Sequence, residues 1–243
     1  MFLSIIIPAY NESKRIIKTL DTLVDFLTDK NFNWEIIIVD DGSKDYTVKK
    51  ILEFTTLNQR VKLIETNENF GKGNAVKVGM MEAIGKWCFL CDADLSMPIN
   101  NFEKFIPNDF NIPKYDIVIG SREATGSIRY NEPFYRHIYG KIFNFFVKIF
   151  IFSGINDTQC GFKLFNKKSV QMIFPNLLIK GFAFDVEVLF LAKKLDFSIH
   201  EIGIEWHHSS GSKVHLFNGL KAFMDVLNIR INYLKGKYKL IVK

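Results

Sequence analysis

Two spacings of apolar residues alternate along the first half of the chain. Short β-branched runs, LSIIIP (3–8) and WEIIIVD (34–40), read as strands buried on both faces of a parallel sheet. Between them Ile16, Ile17, Leu20, Leu23, Val24 and Leu27 recur at helical spacing behind NES (11–13), whose side chains suit a helix cap. A helix over about 45–58, a strand at 61–66, a helix over about 73–85 and strands at 86–91 and 115–122 continue the pattern. Such alternation predicts a parallel sheet with helices on both faces and a ligand site beyond the carboxyl ends of the strands. Pro8 to Glu12, Asp40 and Asp41, the loop ENFGKGN (68–74), Asp92 and Asp94, and Ser121 and Arg122 all follow a predicted strand, so they fall on one rim.

The second half is less regular. It holds an aromatic stretch at 134–152, a loop over NDTQCGFKLFN (156–166), a helix near 184–195, a strand around 198–206 and a basic helical tail. No internal repeat or low-complexity linker divides the chain, which points to one α/β domain with a C-terminal elaboration.

Composition changes this picture in three places. The chain has 24 Phe among 243 residues, a surplus that needs a location. Its net charge of +6 fits an anionic partner, whether nucleotide, nucleic acid or acidic membrane face, or a basic surface kept for solubility. No nucleic-acid module is recognisable, and nucleic acid is not an expected partner. Cys88 and Cys91 are three apart on a predicted strand and face opposite ways; with Cys160 they read as free thiols, neither disulfide nor zinc ligands. The apolar N-terminus lacks a charged leader and a cleavage site, so it reads as a strand and not as a signal peptide.

The candidate chemistry centres on WCFLCDADLSMP (87–98). In an extended segment Asp92 and Asp94 would present two carboxylates to one point, suited to Mg²⁺ or Mn²⁺ bound together with substrate phosphates. VDDGSKD (39–45) is a D-G turn with Asp45 placed to cap the next helix, and a carboxylate there can also accept hydrogen bonds from a base or ribose. NFGKGNAVKVG (69–79) fits neither phosphate-loop fingerprint, but it opens a helix and carries Lys72 toward any phosphate.

Taken together, SIIIPAYNE, EIIIVDDGSKDYT, NFGKGNAVKVGM, CDADLSMP, VIGSR, DTQCGFKLF, FDVEVL and WHHSSGSKV occur in the order seen in family 2 glycosyltransferases of the GT-A fold. The set resembles most the polyprenyl-phosphate (dolichyl-phosphate) sugar synthases, over about residues 3–215. The resemblance implies a Rossmann-like, mostly parallel sheet in a domain spanning 1–213. Its nucleotide-sugar half is about 1–122, its acceptor half about 123–213, and an amphipathic basic helix occupies 214–243.

Residue by residue, the resemblance assigns Pro8, Ala9, Tyr10, Glu12, Val39 and Asp41 to the base and ribose, and Asp92, Ala93 and Asp94 to the ribose and metal-bound diphosphate. Ser96 stands where mannose-transferring members carry a glutamine metal ligand. Arg122 and Arg136 match arginines that grip an acceptor phosphate, Lys213 a loop lysine that meets the donor diphosphate, and His207 replaces an arginine. Asp157 is expected to orient acceptor or sugar, and Asp185 to contact a sugar hydroxyl or act as a base; a capped helix start explains Asp185 and Glu187 as well. The motifs look closer to glucosyl- than to mannosyl-transferring members. They imply inverting transfer from UDP-glucose, with GDP-mannose second, to a polyprenyl phosphate, with Mg²⁺ or Mn²⁺.

The alternatives are a family 2 enzyme acting on a glycan hydroxyl, or a non-catalytic nucleotide-binding membrane adaptor. The stretch 143–152 suits either a buried helix or one lying in lipid headgroups. The tail places Leu216, Leu220, Phe223, Leu227, Ile231 and Leu234 at helical spacing among Lys221, Arg230, Lys235, Lys237 and Lys239. Peripheral attachment to an anionic membrane, on its cytoplasmic, inner face, is therefore expected.

Overall fold

The computed structural model describes residues 1–106, 114–208 and 216–240. Its strands are β1 (Leu3–Ala9), β2 (Trp34–Asp40), β3 (Val61–Glu65), β4 (Trp87–Leu90), β5 (Ile117–Ser121), β6 (Ile128–Tyr130), β7 (Lys163–Asn166), β8 (Ile199–Gly203) and β9 (Glu205–His207). The helices are α1 (Ile16–Thr28), α2 (Thr47–Leu57), α3 (Lys72–Glu82), α4 (Phe134–Phe150), α5 (Lys167–Ile173), α6 (Phe184–Lys194) and α7 (Leu216–Leu234).

A seven-stranded sheet in the order β3-β2-β1-β4-β7-β5-β8 divides the apolar residues between its faces. Along β1, Ile5 and Ile7 pack with α1 and the turn around Phe102, while Ile6 packs beneath α3, as expected from the alternation of side chains along a strand. Cys88 and Cys91 are buried on opposite faces and free, in agreement with the strand argument. Part of the phenylalanine surplus lies under the sheet, where Phe89 meets Phe102, Phe105 and Phe162 edge-on with centroids 4.9, 5.3 and 4.9 Å away. The five strands β1 to β5 all run parallel, so their carboxyl ends share one rim.

Three local expectations are corrected. The stretch 156–166 does not stay a loop: its end forms β7, the one antiparallel strand of the sheet, inserted between β4 and β5. The single strand expected at 198–206 is two. β8 pairs with β5, and β9 leaves to form a separate parallel pair with β6. NES does not cap α1 through a side chain; Asn11 instead accepts a hydrogen bond from the backbone of Lys44, across to the loop after β2. Asp45 does bond the backbone of Thr47 at the start of α2. At the other end, α7 packs against α4 and α6, and Ala222, Val226 and Ile229 join the core.

Candidate functional site

The first part of the rim is a clasp between loops. Asn11 and Glu12 donate their backbone N–H groups to Ser43 Oγ and Thr47 Oγ1, at 2.8 and 2.7 Å. Asp41 spans to the next loop, accepting from the N–H groups of Phe70 and Gly71 at 3.0 and 2.7 Å. Its carboxylate therefore sets the entrance to α3 before it meets any ligand. Pro8, Tyr10 and Glu12 lie half-buried at the end of β1. Val39 does not reach the rim: it is fully buried beneath Gly79, where an added Cβ would stand 3.0 Å from it. Ala9 and Ala93 are buried too, and Thr19 takes the Ala93 carbonyl.

Around D-A-D the geometry departs from the extended expectation. β4 ends at Leu90 and the chain turns at Ala93 and Asp94, with Leu95 at φ 44°, while both carboxylates act on Lys72 and on Arg15. Asp92 Oδ1 accepts from Lys72 Nζ at 2.6 Å. Burial would raise the Asp92 pKa, but Lys72 outweighs that and holds it below the usual carboxylate value. The same pairing raises the Lys72 pKa against the effect of its own burial. Asp94 Oδ1 accepts from the Ser96 N–H at 2.9 Å, and its Oδ2 lies 3.9 Å from Arg15. Ser96 is buried, with its carbonyl taken by His207.

No cluster of three or more His, Cys, Asp or Glu able to hold a metal occurs among the described residues. The donor set still fits a magnesium-type ion, which takes one or two carboxylates and completes its shell with water and substrate phosphates. Asp92 and Asp94 are each about a quarter exposed, and each uses Oδ1 within the protein, Asp92 toward Lys72 and Asp94 toward the Ser96 N–H.

The glycines of the α3 entrance serve packing. A Cβ on Gly71 would stand 2.5 Å from the Lys180 carbonyl, so the loop lies against another backbone there.

Beyond the end of β5, Arg122 grips Asp157 through Nε and Nη2 at 2.7 and 2.9 Å. Although burial opposes ionisation, the guanidinium brings the Asp157 pKa down to about 2. Arg136, in the first turn of α4, lies 3.3 Å from His208 Nδ1. Its guanidinium and that of Arg122 sit 5.5 and 5.8 Å from the ring of Trp206. The cleft between the arginines encloses only about 20 Å³, too little for a phosphate without side-chain movement. A larger cleft of about 390 Å³ between α3 and Leu177–Lys180 contains none of the expected site residues.

Asp185 and Glu187, both in the first turn of α6, part company. Glu187 is fully buried and accepts from the Leu178 and Ile179 N–H groups and the Tyr238 hydroxyl, an architectural role. Asp185 pairs with Lys163 at 2.7 Å, and burial leaves its pKa raised. His207 stacks on Tyr130 at 4.4 Å. Lys213 lies outside the described residues. The structure thus gathers Asp92, Lys72, Asp185, Asp157 and Arg122 into one charged network and adds residues not foreseen: Arg15, Gly161, Lys163 and Trp206.

The mostly parallel α/β sheet with carboxylates and cations along one rim is of the type found in GT-A glycosyltransferases, as its solved neighbours show. Among solved structures, glucosyl-3-phosphoglycerate synthase from Mycobacterium tuberculosis, in complex with Mn²⁺ and UDP-glucose, shares this fold. Its TM-score is 0.62 at 14% identity, covering 98% of this chain and 79% of that one. Residues 4–174 match the glycosyl transferase family 2, and the chain belongs to that family. The dolichyl-phosphate β-glucosyltransferase of Dictyostelium discoideum is 38% identical over 252 residues, covering 99% of this chain and 77% of that protein. The human protein of the same name is 33% identical over 252 residues, covering 98% and 78%.

Proposed function

We propose that this glycosyltransferase moves glucose from UDP-glucose to a polyprenyl phosphate of the dolichyl type, with inversion, while docked on a membrane. One observation carries this reading: Arg136, which like Arg122 faces the Trp206 ring, stands in the first turn of α4, a helix with a largely apolar exposed face. On α4, Phe134, Tyr135, Ile142, Phe145 and Ile149 are each more than half exposed. Met224, Leu227, Ile231 and Leu234 of α7 add to the exposed apolar surface. A lipid phosphate has this form, with an anion at the root of an apolar tail. No helix among the described residues is long and apolar enough to cross a membrane. In this reading α4 and α7 lie on the cytoplasmic face among headgroups, with Lys141, Lys148, Lys221 and Arg230 meeting anionic lipids.

The chemistry follows from charge. A phosphate oxygen of the acceptor attacks the anomeric carbon, the bond from that carbon to the UDP oxygen breaks on the opposite face, and UDP leaves. The acceptor is already an anion, so no strong base is needed. The protein must instead bring two anions together, and Arg122, Arg136 and Lys72 supply positive charge for this. Mg²⁺ or Mn²⁺, held by the D-A-D carboxylates with the diphosphate, would neutralise charge on the leaving group. The names of the curated relatives support the sugar and the acceptor class.

Donor and metal are tested together by thermal unfolding with UDP-glucose, GDP-mannose, UDP or GDP, each with Mn²⁺ or EDTA. Stabilisation by UDP-glucose and UDP that EDTA removes is expected. Stabilisation by the guanine nucleotides alone would overturn the donor assignment, and an undiminished shift in EDTA would overturn the metal.

A further inference from the structure

Lys163 is the charged group that neither the fold nor the reaction outlined above accounts for. It is fully buried, and an unmatched ammonium in a core is costly enough that its surroundings must supply negative charge. The antiparallel strand β7 places it opposite both Leu90 and Ile119, between the last residue of β4 and the end of β5. D-A-D begins two residues beyond Leu90, and Arg122 lies three beyond Ile119. Its ammonium donates to Asp185 Oδ1 at 2.7 Å and to the Cys160 carbonyl. Its charge also reaches Asp92 on the donor side and Asp157 on the acceptor side, helping to hold both carboxyls down. Gly161, two residues earlier, lets Asp92 come close: a Cβ there would stand 2.0 Å from Asp92 Oδ2.

We propose that Lys163 is a positioning residue which fixes the Asp185 carboxylate toward the donor sugar and ties the donor and acceptor halves of the site together. Asp185 is the carboxylate it orients, and the Cys160 carbonyl is its second acceptor. The proposal rests on the transferase reading. A buried ion pair is often dispensable for stability, since apolar replacements of both partners are commonly neutral or stabilising. Stability alone therefore does not require this pair, whereas a fixed carboxylate beside D-A-D does.

The test compares Lys163→Met, Lys163→Arg, Asp185→Asn and the double variant Lys163→Met/Asp185→Asn, reading the unfolding midpoint, UDP affinity, UDP-glucose affinity and glucosyl transfer. Lys163→Met is expected to lower kcat by about 100-fold while UDP affinity stays within about 3-fold. Lys163→Arg should recover about a tenth of the wild-type rate, and the double variant should be no slower than Asp185→Asn, because both changes remove one function. A Lys163→Met enzyme within about 5-fold of wild type, or a double variant whose loss is the product of the two singles, overturns the proposal.

If Lys163→Met fails to fold, the double variant, which leaves no unmatched charge between these two positions, carries the same comparison with Asp185→Asn. UDP-glucose affinity relative to UDP separates the two claims, because it needs no acceptor. Sugar-dependent affinity present in the wild type and lost in Lys163→Met, with no transfer to polyprenyl phosphate, would sink the acceptor reading and leave Lys163 standing. Transfer by the wild type with sugar-dependent affinity unchanged in Lys163→Met would do the reverse.

Discussion

Asp157 shows how one residue joins stability to chemistry. Its carboxyl titrates at about 2 in the folded protein against 3.8 ordinarily, because Arg122 overcomes the cost of burial. A depressed carboxylate pKa stabilises the fold above the ordinary value, and the benefit is lost as pH falls through the folded one. Roughly 2 kcal/mol of stability should therefore disappear between about pH 4 and pH 2. Unfolding free energies of the wild type and Asp157→Asn over that range check this, since the variant should lack that component. The Asp185 pKa moves the other way, which suits a base, and here two acceptors give different results. With a phosphate acceptor Arg122→Ala should cost about 100-fold or more, whereas a glycan hydroxyl acceptor would leave Arg122→Ala mild.

Gly161 offers a third case. Gly161→Ala should keep the fold, displace Asp92 from Lys72, and lose donor affinity measured by calorimetry. Much of this chemistry was legible in the sequence, because polar residues at strand ends are conspicuous: Asp92, Asp94, Lys72 and Arg122 all sit on the rim. Lys163 was not legible. The segment around it reads as a loop, and only the pairing of β7 on both sides encloses it.

At the scale of elements, the sequence pattern identified the parallel strands because each is a continuous β-branched run, and it located α1 to α3 by their spacing. It missed β7, whose four residues are too short to show a period and follow a loop of turn-forming residues. It also fused β8 with β9, since Ile204 at the step is buried and the lone Gly203 before it does not by itself mark a break. The contact of Glu187 with Tyr238, by which α6 holds the segment after α7, was invisible for the same reason as Lys163: it joins residues 51 apart. Tyr238→Phe removes one buried hydrogen bond there. It should cost about 1–2 kcal/mol in denaturant unfolding without lowering kcat.

For the whole molecule, the surplus of phenylalanine now has three destinations, the core clusters on the two faces of the sheet and the exposed face of α4. The last is the one that hydrophobicity alone left open between core and membrane. Phe143 and Val147 turn inward while Phe134, Phe145 and Ile149 stay exposed, so α4 divides its apolar residues between the two. Replacing Phe134 and Phe145 together by serine should leave the unfolding midpoint unchanged yet abolish flotation with anionic vesicles at low salt. Flotation that persists in the variant would assign docking to another surface.

The central claim is glucosyl transfer to a lipid phosphate, and the most direct measurement follows radiolabelled glucose from UDP-glucose in the presence of vesicles. One set carries dolichyl phosphate and the other dolichol, with Mn²⁺ in both. Label entering the lipid only where the phosphate is present, as a β-linked glucosyl phosphate, is the predicted result. Label released as free glucose, or transferred equally to dolichol, would contradict it.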